Sequence, residues 1–156
     1  MSLSRMTAFV LAGVMTLGLA AGGLAQDVDP AIASLSLEQA VEVRQAAMKE
    51  NGGTLKKAGG LTGAEAVAAA ETLIRNFTNL SHLFPENSIV GESKALPAIW
   101  ENADDFAGLF ATGLDAAKAM KTAAEAGDAE AYGASIKTIG GLCGQCHEKY
   151  RAPNPA

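Results

Sequence analysis

The stretch that most constrains this chain is Cys143-Gly144-Gln145-Cys146-His147, after which nine of the 156 residues remain. Two cysteines separated by two residues and followed at once by histidine form the attachment signature of a c-type haem. Both thiols add to the haem vinyl groups, and the histidine ligates the iron. The spacing has a geometric reason: positions i, i+3 and i+4 share one face of an α-helix, so Cys143, Cys146 and His147 all address a single flat porphyrin lying against that helix. The competing use of a C-x-x-C pair is a redox dithiol, which requires a βαβ context that the neighbouring residues do not supply. A zinc site would need further ligands, and His82 is the sole other histidine beside these two cysteines. The reading is one covalently bound haem, with its iron.

The N-terminal end agrees. Met1 to Arg5 is a short basic segment, residues 6–24 are apolar and small, and Gly23-Leu24-Ala25 offers a small-x-small cleavage site before Gln26. The expectation is a signal peptide over residues 1–25, export to the periplasm, and a soluble mature chain of 131 residues. That length suits one domain over residues 26–156 and is too short for two. Export fits the chemistry, since haem attachment needs reduced thiols on the far side of the membrane and the only cysteine pair belongs to the motif rather than to a disulfide framework. The formal charge of −5, more negative once Arg5 is removed, argues against nucleic acid or an anionic membrane as partner. An alanine-rich composition with 5% aromatics fits a helical bundle rather than a sheet.

Along the chain, residues 26–35 read as a lead without strong periodicity. Ser36 caps a first helix, Gln39 completes the capping box, and Ala40, Arg44, Ala47, Met48 and Leu55 stripe one face until Gly59-Gly60 ends it. Gly52-Gly53 inside this helix marks either a kink or the close approach of something bulky, with haem the candidate. A second helix runs from Thr62, in a capping box with Glu65, to about Leu80, with Val67, Ala70, Ile74 and Phe77 as its apolar stripe. Residues 81–96 carry Pro85, Asn87 and Gly91 and form a long crossover loop. A third helix opens at Pro97 and continues to Gly127 with Ile99, Ala103, Phe106, Phe110, Leu114, Ala117 and Met120 as its seam. A fourth, capped by Asp128, carries Tyr132, Ile136, Ile139, Cys143, Cys146 and Tyr150 at the same alternation. Four such helices make an all-α, antiparallel four-helix bundle with its cofactor inside.

Haem attachment as Cys-Gly-Gln-Cys-His-Glu-Lys-Tyr-Arg on the last helix of an all-α chain resembles the class II cytochromes c, namely cytochrome c′ and its low-spin relatives. Arg44-Gln45-Ala46-Ala47-Met48, Leu83-Phe84-Pro85, Pro97-Ala98-Ile99-Trp100 and Asp104-Asp105-Phe106 extend the resemblance over essentially the whole mature chain. It implies that His147 is the proximal ligand, that Arg151 lies near the proximal imidazole, and that Met48 stands at the distal position. In the low-spin branch a methionine there ligates the iron and the protein transfers electrons to redox partner proteins. In cytochrome c′ the iron is five-coordinate and binds nitric oxide or carbon monoxide. The expectation taken from the resemblance is a His147/Met48 electron-transfer haem and not an enzyme, with the five-coordinate, gas-binding protein as the alternative and Met48 then a packing residue. Arg44, one turn before Met48, is expected to pair with a haem propionate, against a surface pair with Glu42 or Glu50. His82 is read as exposed and Met120 as core; Trp100 and the phenylalanines are read as core or haem contacts. The resemblance also implies a homodimer through the first two helices, a surface that pattern alone does not separate from core.

Overall fold

Ser36 starts the first long helix as its spacing to Gln39 predicts: its hydroxyl accepts from Gln39 N at 3.2 Å, and Gln39 Oε1 accepts from Ser36 N at 2.8 Å. In a computed structural model describing residues 27–153, this helix, α1, spans Leu37–Ala58. The expected export sequence over residues 1–25 lies outside the described residues. Before α1, the lead forms a short 3-10 turn, Pro30–Ser34, capped by Asp29 and tied to the second helix where Asn79 Oδ1 accepts from Asp29 N at 3.0 Å.

Helix α1 runs unbroken through Gly52 and Gly53. A Cβ at either position would meet nothing within 4 Å, which leaves that surface open to a bulky neighbour. Helix α2 spans Gly63–Leu80. Thr62 stands at its N-cap without the expected side-chain bond, because the left-handed Gly63 (φ 54°) follows directly and swings the first turn away from the hydroxyl.

The expected third helix is two. Helix α3 is a single turn, Ala98–Glu101; the chain breaks at Asn102 (φ −128°, ψ 48°) and resumes as α4, Ala103–Ala126. Asn102 turns its own amide back on the Ala98 carbonyl at 3.1 Å, the local competition with the helix ladder that asparagine favours. Helix α4 ends on Gly127 in the left-handed conformation, and Asp128 caps α5, Ala129–Tyr150, by accepting from Ala131 N at 3.0 Å.

Helices α1, α2, α4 and α5 form the bundle. Helix α4 packs closely on both α2 and α5, α1 leans on α2, and α1 touches α5 only lightly. The core lies where α2, α4 and α5 meet, around the fully buried Leu73, Leu80, Met120 and Ile139. Leu83 reaches the same core from the crossover loop, is itself fully buried, and anchors the loop. Because α1 and α5 stay apart, a cleft opens between them.

Candidate haem site

The cleft has a volume of about 360 Å³ and draws its wall from three parts of the chain. Helix α1 supplies Arg44, Gln45, Met48 and Lys49; the loop and α3 supply Phe84, Lys94, Ala95 and Ile99; α4 and the end of α5 supply Phe106, Cys146, His147, Tyr150 and Arg151. Met48 and His147, about a hundred positions apart in sequence, thus face one cavity from two helices. The floor is aromatic: Phe106 meets Phe84, Phe110 and Tyr150 edge-on, each at 5.0 Å between ring centroids.

On α5, Cys143 and Cys146 are free thiols, both half-buried. Burial pushes both thiols up, Cys146 to about 11, with the charges of Cys143 and Asp105 adding to it. Burial also lowers the imidazole of His147, and the neighbouring Arg151 charge lowers it further. A neutral imidazole is the form that ligates iron. Arg151 and His147 line the same cleft. Among the described residues, no group of three His, Cys, Asp or Glu side chains converges as a metal-binding cluster.

The end of α5 is held in place by its neighbours. Tyr150 Oη donates to Asp105 Oδ2 at 2.5 Å, and Lys149 Nζ reaches the same oxygen at 3.2 Å. Asp105 raises the Tyr150 phenol to about 12 through this hydrogen bond, and the bond in turn lowers the carboxyl. Just beyond, Leu96 N donates to Tyr150 O at 3.0 Å and Ala152 N to Lys94 O at 2.8 Å, so the residues after His147 pair with the crossover loop. Sequence periodicity contained no signal for this contact, which joins the irregular loop to the last residue of α5 and the chain just beyond it.

Arg44 does not make the surface pair weighed against the propionate. It is buried, 4% exposed, and Glu50 binds Arg75 at 3.0 Å instead. Its guanidinium donates to Leu83 O at 3.1 Å, Ser88 Oγ at 2.8 Å, Ser88 O at 2.8 Å and Ser93 Oγ at 2.6 Å. The group also lies 4.5 Å above the Phe84 ring centroid. Those bonds occupy the four N–H groups on Nη1 and Nη2 and leave Nε–H. A charge so buried, lowered in pKa by desolvation and facing the cleft, suits a negatively charged occupant, although the fork is already taken by the loop. Ser88 and Ser93 were missed by the sequence reading, because a serine in a loop gives no sign that it will be buried.

His82 is exposed, Met120 is fully buried, and Trp100 is half-buried with its indole N–H on Phe84 O at 3.2 Å. Met48 is half-buried and packs against the core cluster. The residues present fit a haem: two free thiols and an imidazole on one helix face, an aromatic floor, and a rim carrying Arg44, Lys49, Lys94 and Arg151 without a carboxylate, which complements two propionates.

A sequence profile described as Cytochrome C' matches residues 39–151. The chain is 37% identical over 135 residues to "Cytochrome c-554" of Cereibacter sphaeroides, a match covering 78% of this chain and 88% of that protein. It is also similar to a solved cytochrome c′ "with an unusual ligand-controlled dimer dissociation", at 27% identity and a TM-score of 0.70, over 76% of this chain and 98% of that one. A third similarity is to cytochrome c′ from Alcaligenes xylosoxidans, solved as a ferrous variant with bound NO, at 25% identity and a TM-score of 0.67, over 76% and 98% of the two chains.

Proposed function

The chain belongs to the cytochrome c′ family, whose proteins carry one covalently bound c-type haem, and on that premise we propose that His147 holds the iron while its sixth side stays open to a small diatomic ligand. The observation that carries this reading is the family match over residues 39–151, together with the similar Alcaligenes cytochrome c′ solved with bound NO. Met48, which lines the cleft, is also packed against the core cluster, as a packing residue would be. Haem iron, when present, supplies a centre that takes such a ligand or exchanges one electron.

In this reading Cys143 and Cys146 carry the thioether links, and His147 presents its neutral nitrogen from the same helix face. Lys49 and Lys94 compensate the propionates at the rim, Arg44 adds buried charge behind them, and Met48 lies over the distal side as a lid. His82 is exposed and is not among the residues that line the cleft, so it offers no distal acid–base group there. The N-terminal reading supports export to the periplasm, with redox proteins or the gas itself as what the haem meets there.

The second reading is electron transfer with Met48 as sixth ligand. What favours it is the placement of the Met48 thioether in the cavity that holds His147. Absorption spectra of the mature holoprotein decide between the two. A high-spin ferric spectrum with ready carbon monoxide uptake by the ferrous form, little changed by Met48→Ala, is the expected result. A low-spin wild type that Met48→Ala converts to high-spin overturns the open-site reading in favour of electron transfer.

A further inference from the structure

Four hydrogen bonds of Arg44 join the crossover loop to α1. Leu83, Ser88 and Ser93 all receive its N–H groups, and Ser88 is fully buried beneath them. One further bond lies beside it at the exposed surface, where Gln45 Nε2 donates to Glu92 O at 2.9 Å. The far end of the same segment is fastened to the chain just after His147, through Leu96 N to Tyr150 O and Ala152 N to Lys94 O. The loop therefore spans the cleft mouth from the Met48 helix to the end of the His147 helix, and it contributes Phe84, Lys94 and Ala95 to the wall. Of the side-chain hydrogen bonds described between this loop and α1, Arg44 makes four and Gln45 one.

We propose that Arg44 is a positioning residue for the distal side of the haem: by clamping residues 83–93 to α1 one turn ahead of Met48, it sets the width of the cleft and so the access of a diatomic ligand to the iron. This rests on the reading that the haem occupies this cleft. It differs from a propionate role, because the groups that receive the guanidinium are protein carbonyls and hydroxyls. A lysine would keep the charge but offers three donors around a point, not a planar fork that reaches both faces of a loop.

The test is stopped-flow mixing of carbon monoxide with the ferrous holoprotein. The informative variant is Ser88→Ala, which removes one of the four bonds and leaves Arg44, its charge and every cleft-lining residue in place. Ser93→Ala, added to it, removes a second but also frees Ala95 N, which donates to Ser93 Oγ at 3.2 Å, so the single variant is the control for the pair. The association rate constant is expected to rise by about tenfold, roughly the equivalent of one hydrogen bond's net contribution, with the midpoint potential near that of wild type. Arg44→Lys is expected to do the same despite its retained charge, and if it fails to load haem Ser88→Ala alone carries the test. Wild-type kinetics in Ser88→Ala overturn the proposal, as does acceleration by Arg44→Lys alone, which would place the effect in the guanidinium's contact with haem. The outcome is separable from that of the open-site reading. If Met48 ligates the iron, the wild type takes up little carbon monoxide, and the clamp then shows as uptake gained in both variants.

Discussion

Gly113 sits where α4 packs on α2, and a methyl group at its Cα would stand 2.7 Å from Phe77 Cε1 and 2.9 Å from Cδ1. Those ring atoms belong to a buried side chain that the core fixes on its other sides. Gly113→Ala sets two effects against each other: alanine favours a helix by about 1 kcal/mol over glycine, whereas forcing a group into a packed core costs about 1–3 kcal/mol. The second should win, giving a net loss of up to about 2 kcal/mol, read as a lower urea midpoint at unchanged slope. An unchanged or raised midpoint would show that the Phe77 ring yields freely. Gly52 and Gly53 look alike to Gly113 in sequence, yet nothing lies within 4 Å of a Cβ at either. Which glycine is a contact and which faces open space depends on the neighbouring helix and cannot be read from its own. Arg44 makes the same point, since its spacing put it on the cleft face and only the folded loop determined what it holds.

At the scale of elements, α5 is tied to the start of α4 by the Tyr150–Asp105 hydrogen bond, and this attachment is pH-dependent. Asp105 has its pKa lowered, chiefly by the Tyr150 hydroxyl and then by Lys149, so its contribution is present above the unfolded value of about 4 and lost as pH falls through the lower folded one. Tyr150 has its pKa raised, so its contribution is complete below the unfolded value of about 10 and lost as pH rises through about 12. Tyr150→Phe should therefore lower the unfolding midpoint most near neutral pH, with the gap to wild type narrowing in acid below about pH 4 and in strong alkali. Urea titrations across that range test this, and a gap that stays constant would deny the bond a role. The helices themselves were legible: capping residues and apolar stripes located α1, α2 and α5 to within a residue or so. The break between α3 and α4 was not, because Pro97 and the seam from Ile99 onward both read as one continuous helix while Asn102 interrupts it through a side-chain bond.

For the whole molecule, the arrangement that matters is the uneven packing of the four long helices. Helix α4 forms the centre with α2 and α5, and α1 is held to one side, which opens the cleft and also leaves an outer α1–α2 surface with Val43 40% exposed beside Ala46 and Ala47. A solved cytochrome c′ similar to this chain has a ligand-controlled dimer dissociation, and the homodimer that the sequence resemblance implies through the first two helices is here a prediction for this face. Sedimentation velocity of the holoprotein is expected to give a dimer, and Val43→Lys, which brings two like charges together across a two-fold interface, a monomer with an unchanged haem spectrum. A monomeric wild type would remove that assignment.

The sequence by itself determined the cofactor, the helix that carries it and the all-α architecture. These follow from local rules: a fixed i, i+3, i+4 spacing, caps and a repeating apolar stripe, all acting within a few turns of chain. Only the tertiary structure decided what joins His147 in lining the cleft. Met48, Arg44, the buried Ser88 and the loop that links α1 to the end of α5 come together through contacts 39 to 49 residues apart or more, where no local pattern applies. Their geometry depends on how far α1 stands from α5, which is a property of the packed bundle.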